Sequence, residues 1–195
     1  MARKSTRREW IRKGIHVGGV STIWVNLFIG KQALILLIAA VSGAYIVSEY
    51  LRINGKTMPL IKEITLSAAR ESETSHFVKA PLYYACGIVL SLTLFPDTIS
   101  NVSIAVLTLG DPAASITGRM LGRTPLPYNS LKTLEGLLGG FFLAFISSSL
   151  FVHPLMALLG SAVGMSIESV NTPVNDNLLI PVAVGLCLLL STIYL

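Results

Sequence analysis

The sequence predicts an all-α integral membrane protein, a polytopic bundle of about seven transmembrane helices with a broken fourth helix, in a single membrane domain over residues 1–195. Three observations predict it. Hydrophobic residues fill 52% of the 195 positions and charged residues 13%, and the mean hydropathy is +0.69, too apolar for a soluble domain of this length. Seven stretches approach the roughly 20 apolar residues of a membrane helix. They are 15–30, 33–50, 77–95, 99–118, 134–152, 154–170 and 177–194, several of them short or glycine-broken, which makes six to eight spans the working range. Finally, with a cytosolic N-terminus, 14 of the 15 Lys and Arg lie at or beside the cytosolic face and only Lys31 lies outside, as the positive-inside rule asks.

Composition also excludes several classes. The formal charge of +5 comes without a basic helix interleaved with aromatics, which argues against a nucleic-acid partner. Cys86 and Cys187 both fall inside spans, so neither a disulfide framework nor a metal-ligand spacing is present. No internal repeat or low-complexity segment occurs.

Residues 1–14 form a basic cytosolic arm. No cleavage site follows it, and the apolar tract behind it carries His16, Trp24 and Asn26, which reads as a retained first span. Arg3, Lys4, Arg7 and Arg8 suit orientation and anionic headgroups. Glu9, Arg12, Lys13 and His16 share one helical face running into the membrane, where His16 either touches a phosphate or headgroup or is a satisfied packing residue.

The second span ends in Ser48, Glu49 and Tyr50, and Glu49 is expected to pair with Arg52. Residues 51–76 are a cytosolic interfacial segment. Within it Leu60, Ile61, Ile64 and Ala68 recur at helical spacing, predicting a short helix lying on the leaflet. Arg70, Glu71, Glu73 and His76 close the segment, either as surface ion pairs or as the source of a general base, Glu73 or His76, for a lipid hydroxyl at headgroup level.

The core motif spans 109–140, LGDPAASITGRMLGRTPLPYNSLKTLEGLLGG. A carboxylate at the depth of Asp111 costs on the order of 3 kcal/mol, so packing alone does not account for it. Gly110 and Pro112 flank Asp111: Pro112, lacking an amide donor, is expected to break the fourth helix, and Asp111 to cap a restarted one, which would offer free amides. Metal binding is the main chemical reading: magnesium takes one or two carboxylates plus substrate phosphates, and Asp111 with Glu168 or Asp176 suits that pattern. Ser115, Gly118, Arg119, Gly122 and Arg123, followed by Lys132, Thr133, Glu135 and Gly136, form a candidate triphosphate cradle of arginine forks, a lysine and close-approach glycines. The spacing is not that of a P-loop. Residues 124–131 are a proline and asparagine turn, with Tyr128 at the interface or stacked on a base. Glu168, Asp176 and Asn177 lie at span ends on the same cytosolic side. The GxxxG pairs at Gly14/Gly18, Gly136/Gly140 and Gly160/Gly164 are read as packing contacts.

GDPAASITGRMLGR followed by KTLEG, with IRKGIH, HFVKAPLYY and DNLLIPV elsewhere, resembles the CTP-dependent lipid kinase family of dolichol kinase, phytol kinase and yeast-type diacylglycerol kinase. The resemblance covers nearly the whole chain. It implies transfer of the γ-phosphate of CTP to the hydroxyl of a membrane lipid alcohol at the cytosolic leaflet. The matching positions are Arg12, Lys13, His16, Asp111, Ser115, Gly118, Arg119, Lys132, Thr133, Glu135, Gly136, Asp176, Asn177 and Pro181. The implied partners are CTP, magnesium, membrane lipids and a dolichol, polyprenol, phytol, geranylgeraniol or diacylglycerol acceptor, the last left open by the short chain. In that scheme Asp111 with Asp176 or Glu168 holds the ion, Lys132, Arg119 and Arg123 offset charge, and His76, Glu73 or Glu135 takes the proton. A homodimer is compatible with the sequence, and short length favours a prokaryotic plasma membrane over an organelle.

Two rival readings remain. A cytidylyltransferase of the CDP-diacylglycerol synthase type shares a GD and basic motif, although its further acidic signature near the C-terminus is not evident. A small ion or solute transporter would use the broken fourth helix as a path, but the charges gather at one face.

Overall fold

The computed structural model of the chain describes residues 2–56, 65 and 76–194, with side chains described from residue 8 to residue 192. The described residues are helical almost throughout. In order it forms α1 (Ala2–Gly18), α2 (Ser21–Ile29), α3 (Lys31–Ile53), α4 (Ala80–Leu94), α5 (Asp97–Ala105), a π-helical turn (Val106–Gly110), α6 (Asp111–Leu121), β1 (Pro125–Leu126), β2 (Asn129–Thr133), α7 (Leu134–Ser148), α8 (Pro154–Ser169) and α9 (Asp176–Tyr194). The turn expected over 124–131 is a small antiparallel ribbon of β1 and β2. The interfacial helix predicted around Leu60 to Ala68, like Glu73, lies outside the described residues except for Thr65, which is helical and buried.

The fourth span is not broken. Residues Asp97–Leu121 run as one 25-residue helix, in which the π turn absorbs the disturbance that Pro112 brings by lacking an amide hydrogen. Gly110 and Asp111 both have helical dihedrals, and no side chain caps α6. The restarted helix and its free amides are therefore absent. This helix is the axis of the bundle: Val102, Ile104, Ala105, Val106 and Leu107 are completely buried, packed among α7, α8 and α9, while α1 lies against the π turn.

The expected span 15–30 is also corrected. It divides at Gly18–Val20 into α1 and α2, and nine residues of α2 reach only about 14 Å. The Tyr84 hydroxyl donates to the His16 carbonyl at 2.5 Å, taking an acceptor a continuing helix would use. A Cβ on Gly19 would stand 2.6 Å from Cζ of Tyr84, so only glycine lets α4 come so close. Among the described residues, two helices are long and apolar enough to cross a membrane, Lys31–Ile53 and Asp97–Leu121. The remaining predicted spans are the shorter apolar helices α4, α7, α8 and α9, so the seven-span layout is met only in part.

The two long helices differ in surroundings. α3 turns Leu36, Leu37, Val41, Ile46 and Val47 outward, whereas the axial helix is enclosed. Gly30, at φ +81°, reverses the chain between α2 and α3 in one residue. Lys31, the lone cation assigned to the far side, bonds Asp97 at 2.8 Å and the Phe95 carbonyl at 3.2 Å, which puts the α3 start and the α4–α5 link at one end. At the opposite end Glu49 binds Arg52 at 2.7 and 2.9 Å, as expected, and accepts the Val78 amide at 3.0 Å.

Small residues bring α6 and α7 together. A Cβ on Gly140 would lie 2.7 Å from that of Ala114 and 2.9 Å from the Gly110 carbonyl, and one on Gly160 would touch Val102, Val184 and Leu188. Gly14 and Gly18 differ: nothing lies within 4 Å of a Cβ there, so that GxxxG pair is not a packing contact among the described residues. Gly140→Ala is expected to cost about 1–3 kcal/mol through overpacking. Gly14→Ala should leave the melting temperature in detergent unchanged, and equal melting of both variants would contradict this account.

Candidate active site

The motif residues converge where α1, α6, the ribbon, α7 and α8 meet. Thr133 ends β2 and begins α7, its hydroxyl accepting the Gly136 amide at 3.2 Å, which is a helix N-cap. Glu135, in the first turn of α7, reaches back to the amides of Arg123 (3.1 Å) and Thr124 (3.2 Å) and to the Thr124 hydroxyl (2.9 Å). The ribbon is fixed at its other side by Tyr128, whose hydroxyl is 3.0 Å from Ser169 Oγ, and by Asn129, which donates to the Ser169 carbonyl at 2.9 Å. Lys132 is thereby carried on a strand braced from both ends.

These elements enclose a cavity of about 300 Å³. Its polar wall is Ser115, Arg119, Lys132, Thr133, Glu9 and Glu168, and Gly118 and Gly136 line it as well. The glycines matter because a Cβ on Gly136 would come 2.8 Å from the Ala114 carbonyl and 3.0 Å from Gly118 Cα, forcing α6 and α7 apart. Gly122 backs this wall, a Cβ there falling 2.8 Å from the Thr133 hydroxyl.

Each basic group at the site faces a carboxylate. Lys13 Nζ sits 3.1 Å from both oxygens of Asp111, and His16 Nε2 lies 3.4 Å from one of them. Lys132 binds Glu168, and Arg119 binds Glu9, which also has Arg12 at 3.9 Å. Asp111 and Glu168 are buried, at 9% and 2% exposure. Asp176 accepts from the Thr172 hydroxyl at 3.3 Å, and both it and Glu168 feel the charges of Lys13, Asp111 and Lys132. Among the described residues, no three His, Cys, Asp or Glu side chains are placed to hold an ion together. Asp111, Glu168 and Asp176, expected as ligands, are therefore not gathered into one set.

Of the residues expected from sequence, the structure gathers Ser115, Gly118, Arg119, Lys132, Thr133, Gly136 and Glu168 on the cavity, with Lys13, His16 and Asp111 paired beside it, while Asp176 is bonded to Thr172 and does not line it. Glu135 is engaged in bracing the ribbon, and neither it nor Arg123 lines the cavity. Arg12 faces Glu9, His76 gives its carbonyl to Arg52 at 2.6 Å, and the Asn177 carbonyl packs against Gly87; none of the three lines the cavity. Sequence reasoning missed the cavity position of Glu9 and the Lys13–Asp111 pair. The shared helical face of Glu9, Arg12, Lys13 and His16 was the available signal, but the 98-residue separation of Lys13 from Asp111 hid the partner.

Because Asp111 is buried against one lysine, removing that lysine strands a charge. Lys13→Met should destabilise the protein by about 3–5 kcal/mol. Lys13→Met with Asp111→Asn should recover much of that loss, as read from melting in detergent. Additive losses in the double variant would contradict the pairing.

The chain is similar to phytol kinase 1 of Arabidopsis thaliana, a chloroplastic protein, at 29% identity over 170 residues, covering 77% of this chain and 54% of that protein. It is similar to the probable phytol kinase 2 of Oryza sativa subsp. japonica at 29% over 193 residues, covering 87% and 62%. A third relative, the chloroplastic farnesol kinase of Arabidopsis thaliana, is 33% identical over 90 residues, 45% of this chain and 29% of that one. The chain thus spans between about half and two thirds of the length of the first two. No family model matches it, and no solved structure does. The resemblance to lipid-alcohol kinases read from the motifs is borne out. The chloroplastic names lend no support to a prokaryotic plasma membrane.

Proposed function

We propose that this chain, a relative of the phytol and farnesol kinases, transfers the γ-phosphate of CTP to the hydroxyl of a long-chain membrane alcohol at the cytosolic leaflet. The observation that carries this reading is the cavity itself: Arg119, Lys132, Ser115 and Thr133 converge on about 300 Å³ at the end of a bundle whose outer surfaces are apolar. Such a space suits a polar phosphate chain from the aqueous side and a lipid from the membrane side. The short helices α4, α7, α8 and α9 are taken as membrane-embedded with the two long ones, and the end bearing Lys13, Arg119 and Lys132 as cytosolic.

Phosphoryl transfer depends mainly on positioning and on charge placed around the transferring group. Arg119 supplies a two-pronged donor and Lys132 a point charge, and the braced ribbon keeps Lys132 at a fixed place on the wall. Gly118 and Gly136 let phosphate oxygens approach the backbone, and the hydroxyls of Ser115 and Thr133 add donors. Asp111, Glu168 and Asp176 are the residues that would hold magnesium accompanying the nucleotide, which would offset phosphate charge. The alcohol oxygen bonds to the γ-phosphorus as the bridging β–γ bond breaks, and CDP departs.

The test uses the purified full chain in detergent with magnesium, γ-labelled CTP or ATP, and phytol, farnesol, geranylgeraniol, a dolichol and diacylglycerol. Label is expected to pass from CTP to an isoprenoid alcohol, to vanish with EDTA, and to fall by about 10²–10³-fold in Lys132→Ala. Incorporation of α-label with release of pyrophosphate would instead establish a cytidylyltransferase. Absence of any nucleotide turnover would sink both enzymatic readings.

A further inference from the structure

Beside the wide cavity lies a second, narrow cleft between α1 and α6. Trp10, Lys13 and Ile116 bound it, and it shares Glu9, Ser115 and Arg119 with the wide one. Its volume, about 10 Å³, accepts one hydroxyl-sized group. Trp10 is half exposed and Ile116 partly so, giving the cleft an apolar rim. Donor and acceptor in a direct transfer must meet, and these two spaces meet at Glu9, Ser115 and Arg119.

We propose that Glu9 is the catalytic base and that the cleft between Trp10 and Ile116 admits the acceptor hydroxyl. The inference rests on the kinase reading above and assigns it a residue that the sequence motif does not contain. Among the described residues, Glu9 is the one carboxylate lining both spaces. Glu168 lines only the wide cavity, buried against Lys132, and Glu135 is committed to the ribbon.

The present partner of Glu9 fits the role. Glu9 holds Arg119 through one carboxylate oxygen and has Arg12 at 3.9 Å from the other, so a phosphate that draws Arg119 toward itself releases one oxygen at the seam where the hydroxyl arrives. As the alcohol oxygen bonds to the γ-phosphorus, its proton passes to a Glu9 oxygen and the electron pair of the broken β–γ bond leaves with the nucleoside diphosphate. Glu9 then returns the proton to water through the wide cavity. The cleft takes the hydroxyl end alone and leaves the chain of either kind of alcohol outside its apolar rim.

The experiment compares the full wild-type chain with Glu9→Gln, Glu9→Asp and Ile116→Trp, using γ-labelled CTP, magnesium and farnesol or diacylglycerol, with nucleotide affinity measured separately. Glu9→Gln is expected to lower kcat by about 100-fold or more while nucleotide affinity is kept or rises, because Arg119 loses a competing carboxylate, and Glu9→Asp to retain more turnover than Gln. Ile116→Trp should raise the farnesol KM by roughly tenfold without weakening nucleotide binding. Wild-type turnover in Glu9→Gln overturns the assignment, as does loss of nucleotide binding in parallel with activity in both Glu9 variants. An unchanged KM for both farnesol and diacylglycerol in Ile116→Trp overturns the acceptor route. A wild-type protein that binds CTP and transfers no label defeats the kinase reading itself, and Glu9 with it.

Discussion

The arrangement at this site depends on keeping Asp111 charged inside an apolar bundle. A lone carboxylate in such surroundings is unfavourable, and here both of its oxygens take hydrogen bonds from Lys13. That requirement fixes the first helix. α1 would otherwise be a basic segment free to lie on the membrane surface, but the Lys13–Asp111 pair seats it against the π turn and α6. Once α1 is seated, Glu9 reaches Arg119, Trp10 and Ile116 border one cleft, and the wall of the cavity is closed by an element nearly a hundred residues away in sequence.

The opposite wall is held by a different device. Lys132 is a flexible side chain, and a lysine on a loose loop would lose much of its value to conformational entropy. The chain answers with a ribbon of seven paired or flanking residues tied to the start of α7 through Thr133 and Glu135 and to the end of α8 through Tyr128 and Asn129. Glu135, a catalytic candidate by its position in the motif, thus serves the site by holding the strand. A carboxylate that accepts two backbone amides and a hydroxyl has its lone pairs directed at the ribbon, away from chemistry.

How far the sequence could be read follows from the range of each interaction. Apolar runs located α3, α4, the axial helix, α7, α8 and α9, but not α1, whose sequence is basic, nor the division at Gly18–Val20, because that break comes from Tyr84, on another helix, approaching Gly19. Pro112 misled for a related reason: local rules end a helix there, and only the π turn over Val106–Gly110 shows how the bundle keeps it continuous. The residues of the 109–140 motif that line the cavity were legible since they are close in sequence and polar in an apolar setting. The pairing of Asp111 with Lys13 and the position of Glu9 were not, because charges 98 and 110 residues apart leave no local signal of partnership.

The pairing pattern constrains the proposed chemistry further. Arg119 and Lys132 are each engaged by a carboxylate, so a phosphate chain entering the cavity exchanges partners and does not meet bare cations. The exchange has two sides. A triphosphate that takes Arg119 and Lys132 frees Glu9 and Glu168, and freed carboxylates beside phosphate oxygens would repel them unless a proton or a divalent ion arrives at the same time. A nucleotide accompanied by magnesium, as proposed above, would supply both the anion for the cations and the cation for the carboxylates. On this argument Glu168, freed from Lys132, is where the ion would be drawn, and Glu9, beside the narrow cleft, is left to the acceptor's proton. The same internal pairs that stabilise the protein without nucleotide would then sort the freed carboxylates into their separate tasks.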